Sequence, residues 1–348
     1  MSSDLLGSLL VGGHASSAII VGHHAGLWST FAAHPGRVWT LSEFADAADC
    51  KERWIKEWVG VLASAKLLSY SSEGKLTCPA SVANRLIPGG EICYFSCLEF
   101  FMDKETELAA CFKKDGPLGL GYARFPDFHN WMKACSMIKP DQYPKEFVSM
   151  VGEGLDEALQ RGISVLEAGC GSGLRAMALG KYYPNSTFVA FDIDGELIEK
   201  VKQQAKDQGI SNVTFCVADF TDMPEEWNAE YDYLMLFDVM HDLSFPTKAM
   251  AGIQRVLKQD ALFTMEDVET NSDMSEQTKS SGSALLYNIS LHHCMSVSLA
   301  QGGVGLGTCW GTQLAQRMLK EAGFDNVRLD TSGGGAFYVV TQGKGLKG

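Results

Sequence analysis

Apolar positions recur with a helical period through the first 90 or so residues of the chain. The stretch "KERWIKEWVGVLASAKLLSY" repeats them at Trp54, Ile55, Trp58, Val59 and Leu62. Residues spaced in this way share one face of an α-helix. We therefore predict a helix here that buries one apolar face, with both tryptophans on it.

Local signals around this helix suggest the kind of domain that contains it. Thr40 is followed three residues later by Glu43, which is the pattern of a capping box at a helix start. After the helix, "LLSYSSEGKLTCPA" has two short extended pieces around Ser-Glu-Gly. Helix, turn, helix and small hairpin together predict an α-rich winged-helix domain over residues 1–90.

The next segment, residues 91–150, is rich in aromatic residues and methionine. We interpret it as a helical linker whose side chains form one wall of a pocket for an apolar or aromatic small molecule. A plain hydrophobic helix between two domains would have the same composition. The aromatic residues that suggest the pocket are Phe100, Tyr122, Phe125, Phe128 and Trp131.

From about residue 151 the pattern changes to alternating strands and helices. Short apolar runs such as "SVLEAG" and "TFVAFDID" are followed by amphipathic stretches such as "GELIEKVKQQAKDQG". Such alternation predicts an α/β domain over residues 151–348, built on a mostly parallel sheet that is covered on both faces. The last two runs, "NVRLD" and "GAFYVVTQ", have no helix between them and predict a mixed edge.

Composition and charge exclude several classes of protein. The net charge of −13 argues against a protein that grips nucleic-acid phosphates, since such binding needs clustered Lys and Arg. The ten cysteines show no paired short spacings of the kind that zinc sites use, so no metal is predicted. The N-terminus has no basic leader, and no uninterrupted apolar run approaches a membrane span. We therefore expect a cytoplasmic protein with no membrane partner and reduced thiols.

The glycine-rich turn in "VLEAGCGSGL" is the main candidate for a ligand site. It lies where a strand passes into a helix, and parallel sheets bind ligands beyond the carboxyl ends of their strands. Leu174 occupies the position of the sixth-place glycine in the dinucleotide fingerprint, and Arg175-Ala176 does not complete a phosphate-binding P-loop. Glu167 would repel a pyrophosphate but would suit a cationic ligand.

The segment "LEAGCGSG" resembles the first motif of class I S-adenosylmethionine-dependent methyltransferases. Two further acids agree with this resemblance. Asp192 ends the next strand, where the family has the carboxylate that binds the two ribose hydroxyls, and Asp219 ends the third, where the family's acid meets the adenine amino group. Phe220 would pack on the adenine ring.

This resemblance implies a Rossmann-like, seven-stranded, mostly parallel sheet and S-adenosylmethionine as cofactor. The residues that it implies for cofactor binding are Glu167, Gly169, Cys170, Gly171, Gly173, Asp192, Ile193, Asp219, Phe220, Phe237 and Asp238.

A second segment, "LFDVMHDLSFPTKAM", is similar to one in winged-helix small-molecule O-methyltransferases, in which a His-Asp pair follows the fourth strand and the histidine is the general base. His241-Asp242 matches that pair, and Glu266 matches the glutamate that flanks the histidine. The family's second supporting glutamate is missing, because "GTCWG" stands at its place. The match is closer to bacterial and invertebrate methyltransferases of the same two-domain layout. If His241 is not the general base, its alternative role is to cap the following loop.

These resemblances imply methyl transfer to a small molecule with an oxygen, sulfur or nitrogen nucleophile. They also imply a homodimer formed through the N-terminal domain. Two other functions fit a chain with these features: a cofactor-binding regulator without turnover, and a winged-helix DNA-binding protein. The nearly neutral charge of the helix after Lys51 argues against the last of these.

Overall fold

A computed structural model describes residues 2–136 and 138–347 of the chain. Two compact units make up the fold. The first comprises Met1–Asp103 and Asp127–Met137, and the second comprises Lys104–Pro126 and Ile138–Gly348.

The first unit begins with six helices and one small hairpin, as the sequence predicts for a winged-helix domain. The predicted capping box is present at Thr40 and Glu43, and the predicted hairpin is a two-stranded antiparallel sheet. The elements are α1 Ser2–His24, α2 Leu27–Ala33, α3 Leu41–Ala47, α4 Glu52–Ser64, β1 Ser69–Tyr70, β2 Leu76–Thr77, α5 Ala80–Ala83 and α6 Ile92–Phe101.

The core of this unit is rich in aromatic side chains, but only one of the two tryptophans predicted to be buried in α4 belongs to it. Trp58 is buried in α4 and its indole N–H donates to the carbonyl of Ala18 at 2.8 Å. Trp54 is 73% exposed and does not share the buried face. At 3.6 residues per turn, Trp54 lies about 90° around the helix from the centre of the stripe formed by Ile55, Trp58, Val59 and Leu62. The stripe is therefore narrower than the sequence suggested.

Helix α1 is apolar around its circumference. Within it, Leu5–His24 is long and apolar enough, by length and composition alone, to cross a membrane. Residues such as Ala18 and Ile19 are buried in the core of the first unit, whereas Leu6 and Leu10 are about two-thirds exposed. The first half of α1 thus presents apolar side chains to solvent.

The aromatic segment at 91–150 is divided between the two units. Helix α7 (Glu105–Cys111) and the 3₁₀ turn Tyr122–Arg124 belong to the second unit, whereas α8 (Phe128–Cys135) belongs to the first. In the first unit, the rings of Phe100, Phe128 and Trp131 contact one another.

The second unit contains the predicted α/β domain. Its strands are β3 Ser164–Ala168, β4 Thr187–Asp192, β5 Val213–Val217, β6 Tyr231–Phe237, β7 Leu257–Asp267, β8 Val327–Asp330 and β9 Ala336–Thr341. They form one sheet in the order β5-β4-β3-β6-β7-β9-β8. Strands β3 to β7 run parallel, and β9 is antiparallel to both β7 and β8. This confirms the mostly parallel sheet with a mixed edge.

Helices cover both faces of this sheet and bury an apolar cluster on each. They are α9 Tyr143–Val151, α10 Leu155–Arg161, α11 Leu174–Tyr182, α12 Gly195–Asp207, α13 Pro246–Val256 and α17 Thr312–Glu321. Between β7 and α17 the chain forms three further helices, α14 Met274–Gln277, α15 Ser283–Ile289 and α16 Met295–Ala300. Strand order reverses at β3, which has β4 on one side and β6 on the other. A crevice beyond the carboxyl ends of the strands at such a point is the usual ligand site of an open α/β sheet.

Candidate active site

The predicted glycine turn lies directly beyond the carboxyl end of β3. Gly169, Gly171 and Gly173 all have positive φ angles. A Cβ at Gly173 would approach Val201 to 2.5 Å and Phe215 to 2.7 Å, whereas one at Gly171 would meet nothing within 4 Å. Gly173 therefore serves close packing, and Gly171 leaves backbone exposed where a ligand can approach it.

Two of the predicted acids hold this turn in place. Glu167 is buried and accepts a hydrogen bond from the backbone N–H of Ala176 at 2.9 Å. Burial raises the pKa of Glu167 to about 7, against the opposing effect of Arg175. Asp192 accepts from the N–H of Gly171 at 2.9 Å, so its carboxylate connects the end of β4 to the turn.

The remaining predicted cofactor residues lie around the same edge of the sheet. Asp219 follows β5 and accepts from the N–H and hydroxyl of Thr221. Phe220 is buried and its ring packs on Phe191 with a centroid distance of 5.0 Å. Ile193 is more than half exposed beyond β4.

Asp238, directly after β6, has a left-handed backbone with φ of 53°. Such backbone is uncommon for a residue other than glycine and is found repeatedly at functional sites. Phe237 is buried, and the Arg175 guanidinium lies 4.0 Å from the centroid of its ring. Cys170 is also buried.

The predicted base, His241, lies in a 3₁₀ turn, Met240–Asp242, just beyond β6. It is buried, and its Nδ1 donates to Oδ1 of Asp267 at 2.7 Å. Its Nε2 lies 3.4 Å from Oδ1 of Asp242. Burial alone would lower the pKa of His241, but the carboxylates of Asp267 and Asp242 outweigh it and hold the pKa well above its usual value.

The expected orienting partner, Glu266, does not hold His241; the next residue, Asp267, does. Successive side chains of a strand point to opposite faces of the sheet, so β7 can direct only one of the two towards His241. Glu266 lies on the side of Arg175, whose charge opposes the increase in the pKa of Glu266 that burial causes. Spacing along the sequence could not choose between two adjacent carboxylates.

Another side of the site is formed by the continuous helical stretch from α15 to α16. Between α15 and α16, Ser290–Cys294 forms a π-helical turn, an irregularity that is common at functional sites. His293 and Cys294 are buried there. The rings of Tyr122 and Phe125 lie 5.5 and 5.1 Å from that of His293.

The charges of residues around His241 and around the glycine turn both affect the pKa of Tyr122. Burial raises the pKa of Tyr122 well above its usual value, and the charge of Asp242 adds to this increase, followed by Cys294 and Asp192. The glycine-rich loop "AQGGVGLGTCWG" also reaches this region, because the N–H of Gly307 donates to the carbonyl of His241 at 3.1 Å. Sequence reasoning named Asp242 as the neighbour of the histidine but missed Asp267 and Cys294. Asp267 adjoins the predicted Glu266, whereas nothing in the sequence indicated Cys294.

Comparison with known proteins assigns both parts of the chain. Residues 159–330 match a family model described as a methyltransferase domain, and residues 14–86 match an Rv2258c-like winged HTH domain. The predicted combination of a methyltransferase domain with an N-terminal winged helix is thereby confirmed.

Solved structures and curated relatives agree with this assignment. An O-methyltransferase family protein from Burkholderia thailandensis is similar over 98% of this chain and 98% of its own, with a TM-score of 0.67 and 17% identity. Human N-acetylserotonin methyltransferase, solved in complex with SAM, has a TM-score of 0.63 at 15% identity, covering 99% of this chain and 98% of its own.

Among curated proteins, the release factor glutamine methyltransferase of Streptococcus pneumoniae is 30% identical over 183 residues, or 49% of this chain and 63% of that protein. The chain spans less than two thirds of the length of the curated relatives it matches.

The Asp267–His241 pair can be tested in the methyltransferase domain without any ligand. Replacing Asp267 by Asn is expected to lower the pKa of His241, because the nearby carboxylate stabilises the imidazolium. Glu266→Gln should change it little. NMR titration of the His241 ring measures both effects. A larger decrease from Glu266→Gln than from Asp267→Asn would contradict the assigned partner.

Proposed function

We propose that this chain is an enzyme that transfers the methyl group of S-adenosylmethionine to a small-molecule acceptor. The observation that carries the proposal is the position of a buried, carboxylate-bound histidine, His241, beyond β6. Its strand adjoins β3, from which the glycine turn extends. The proposed cofactor site and the candidate base thus lie next to each other at the carboxyl ends of the strands, where the strand order reverses.

The residues present fit the cofactor by their charge and by the hydrogen bonds that they can accept. Asp192 uses its two oxygens to accept from the N–H groups of Gly171 and Asp194, and a carboxylate offers about four acceptor positions. It therefore retains capacity for the ribose hydroxyls. The acids Asp192 and Asp219 give this edge a negative charge, to which Glu167 adds when it is ionised, and such a charge suits a ligand with a sulfonium and an ammonium group.

When bound, S-adenosylmethionine supplies an activated methyl group for in-line displacement. The task of the chain is to hold the acceptor atom in line and to receive its proton. Orientation of this kind can contribute about 7–11 kcal/mol to lowering the barrier. Neutral His241 would accept the proton at Nε2, and Asp267 would stabilise the imidazolium that forms.

The acceptor is an apolar or aromatic small molecule in this proposal. Tyr122, Phe125 and His293 give the second unit an aromatic wall near His241 and Cys294. Burial of apolar ligand surface against such rings is favourable, and few polar groups are needed to orient the ligand. We infer that Glu266 acts indirectly, through Arg175, rather than as a partner of the base.

The enzymatic proposal predicts a specific loss on substitution of the base. His241→Ala should lower turnover with a hydroxyl acceptor by about 10²–10⁴-fold, the usual contribution of a general base, while cofactor affinity stays unchanged. Turnover of the wild type should rise as pH increases through the pKa of His241, because only the neutral ring accepts a proton. Transfer of radiolabelled methyl to a panel of phenols, thiols and amines measures this.

The same assay separates the alternatives. Unchanged turnover in His241→Ala would remove this residue from the mechanism and favour an acceptor that ionises by itself. Cofactor binding with no transfer to any acceptor would favour a regulator and contradict the enzymatic proposal.

We also infer that the protein works in the cytoplasm as a homodimer assembled through the first unit. All ten cysteines, which lie within the described residues, are free, as expected in a reducing compartment. Four leucines near the start of α1 are each more than 60% exposed: Leu5, Leu6, Leu9 and Leu10. An apolar patch of this kind usually marks an interaction surface, and a second copy of the same helix is the occupant that we propose.

The dimer predicts that charge on α1 separates the subunits. Leu6→Glu combined with Leu10→Glu should convert a dimer into a folded monomer, because four carboxylates would be desolvated in the interface. Val38→Glu, at another exposed apolar position of the first unit, is the matched control and should remain dimeric. Sedimentation velocity distinguishes these states. A monomeric wild type, or wild type that floats with lipid vesicles in place of dimerising, would contradict the proposal.

A further inference from the structure

Three side chains of different chemistry converge in the interior of the methyltransferase domain. Nε2 or Nδ1 of His241, a carboxylate oxygen of Asp242 and Sγ of Cys294 all lie within 4.8 Å of one another. The first two come from the 3₁₀ turn after β6, and the third ends the π-helical turn before α16. A nitrogen, an oxygen and a sulfur ligand are therefore brought together by elements far apart in the chain.

The separation of the nitrogen and oxygen ligands in this cluster suits a shared ion. Nε2 of His241 lies 3.4 Å from Oδ1 of Asp242. That oxygen is buried and has no hydrogen-bond partner. Zinc bonds to nitrogen and oxygen are about 2.0–2.2 Å long and tetrahedrally arranged, so two such ligands of one ion are separated by about 3.3–3.5 Å. The observed separation falls in this interval.

The groups around the cluster are those that support a bound metal. Nδ1 of His241 donates to Asp267, which leaves Nε2 as the nitrogen that can carry a lone pair towards the ion. Metal-binding histidines commonly have a carboxylate partner of this kind. On the other side, the Thr308 hydroxyl donates to Sγ of Cys294 at 3.2 Å and would stabilise a thiolate.

We propose that His241, Asp242 and Cys294 form a Zn²⁺ site with a fourth position open to a small molecule. The mixed nitrogen, oxygen and sulfur set excludes Mg²⁺ and Ca²⁺, which take oxygen ligands. Three protein ligands and one open position are typical of reactive zinc centres. This site does not depend on methyl transfer, since it is defined by its ligands alone.

Bound zinc would prevent His241 from acting as a general base. The ion occupies Nε2 of His241, so the zinc-bound protein cannot use that atom as a base. Zinc binds the thiolate form of Cys294 and the unprotonated Nε2 of His241, so it must displace the protons that these two atoms carry. Affinity for zinc should therefore rise with pH, and a transfer that needs His241 should be inhibited by zinc and restored by a chelator.

Cobalt provides a test that requires neither cofactor nor acceptor. Metal-free wild type titrated with Co²⁺ should bind one ion per chain at this site and develop a near-ultraviolet sulfur-to-cobalt charge-transfer band, which Zn²⁺ then abolishes. Cys294→Ser should lose the band, and Asp267→Asn should retain it with about 10–100-fold weaker affinity, as expected for a partner of a metal-binding histidine.

Two controls use other cysteines of the chain. Cys309→Ser removes a thiol of the "GTCWG" loop, outside the cluster, and Cys93→Ser removes a thiol of α6 in the first unit. Both variants should keep the band and its stoichiometry. Circular dichroism checks that each variant is folded, and Cys294→Ala replaces Cys294→Ser if the latter does not fold. Absence of the band in wild type, or its loss in Cys309→Ser or Cys93→Ser in place of the cluster variants, would overturn the proposal.

Discussion

The hydrogen bond between His241 and Asp267 depends on the register of two parallel strands. Phe237 at the end of β6 pairs with Glu266 in β7, so the residues that follow them emerge side by side at the same edge of the sheet. A shift of one residue would turn Asp267 to the opposite face and bring Glu266 to His241. Register therefore decides which carboxylate meets the imidazole, and with it the charge state of the candidate base.

The same edge of the sheet organises the rest of the site. Because parallel strands end together, β3 contributes the glycine turn, β4 contributes Asp192, and β6 and β7 contribute the histidine and its partner. Backbone hydrogen bonds use part of the capacity of Asp192, so this carboxylate shapes the turn, and we propose that its remaining capacity binds the ribose. In our account, one geometric constraint thus serves cofactor binding and proton transfer.

Those parts of the fold that depend on local chemistry could be predicted from the sequence. The capping box at Thr40, the hairpin around Ser-Glu-Gly and the glycine turn each depend on a few adjacent residues. What the sequence could not predict depends on direction in space. Trp54 and Trp58 differ in burial because of their angle around α4. Cys294 reaches His241 only through a π-helical turn that no periodicity indicates.

The central claim is that the carboxylates at this edge bind S-adenosylmethionine, and calorimetry of the cofactor and of S-adenosylhomocysteine tests it most directly. We predict that the wild type binds both ligands. Asp192→Ala should bind at least about tenfold more weakly, since hydrogen bonds to a charged group contribute about 1.5–3 kcal/mol each. Asp207→Ala, at an exposed acid that ends α12, should bind like the wild type. Folded wild type that takes up neither ligand, or Asp192→Ala that binds as tightly, would contradict the account.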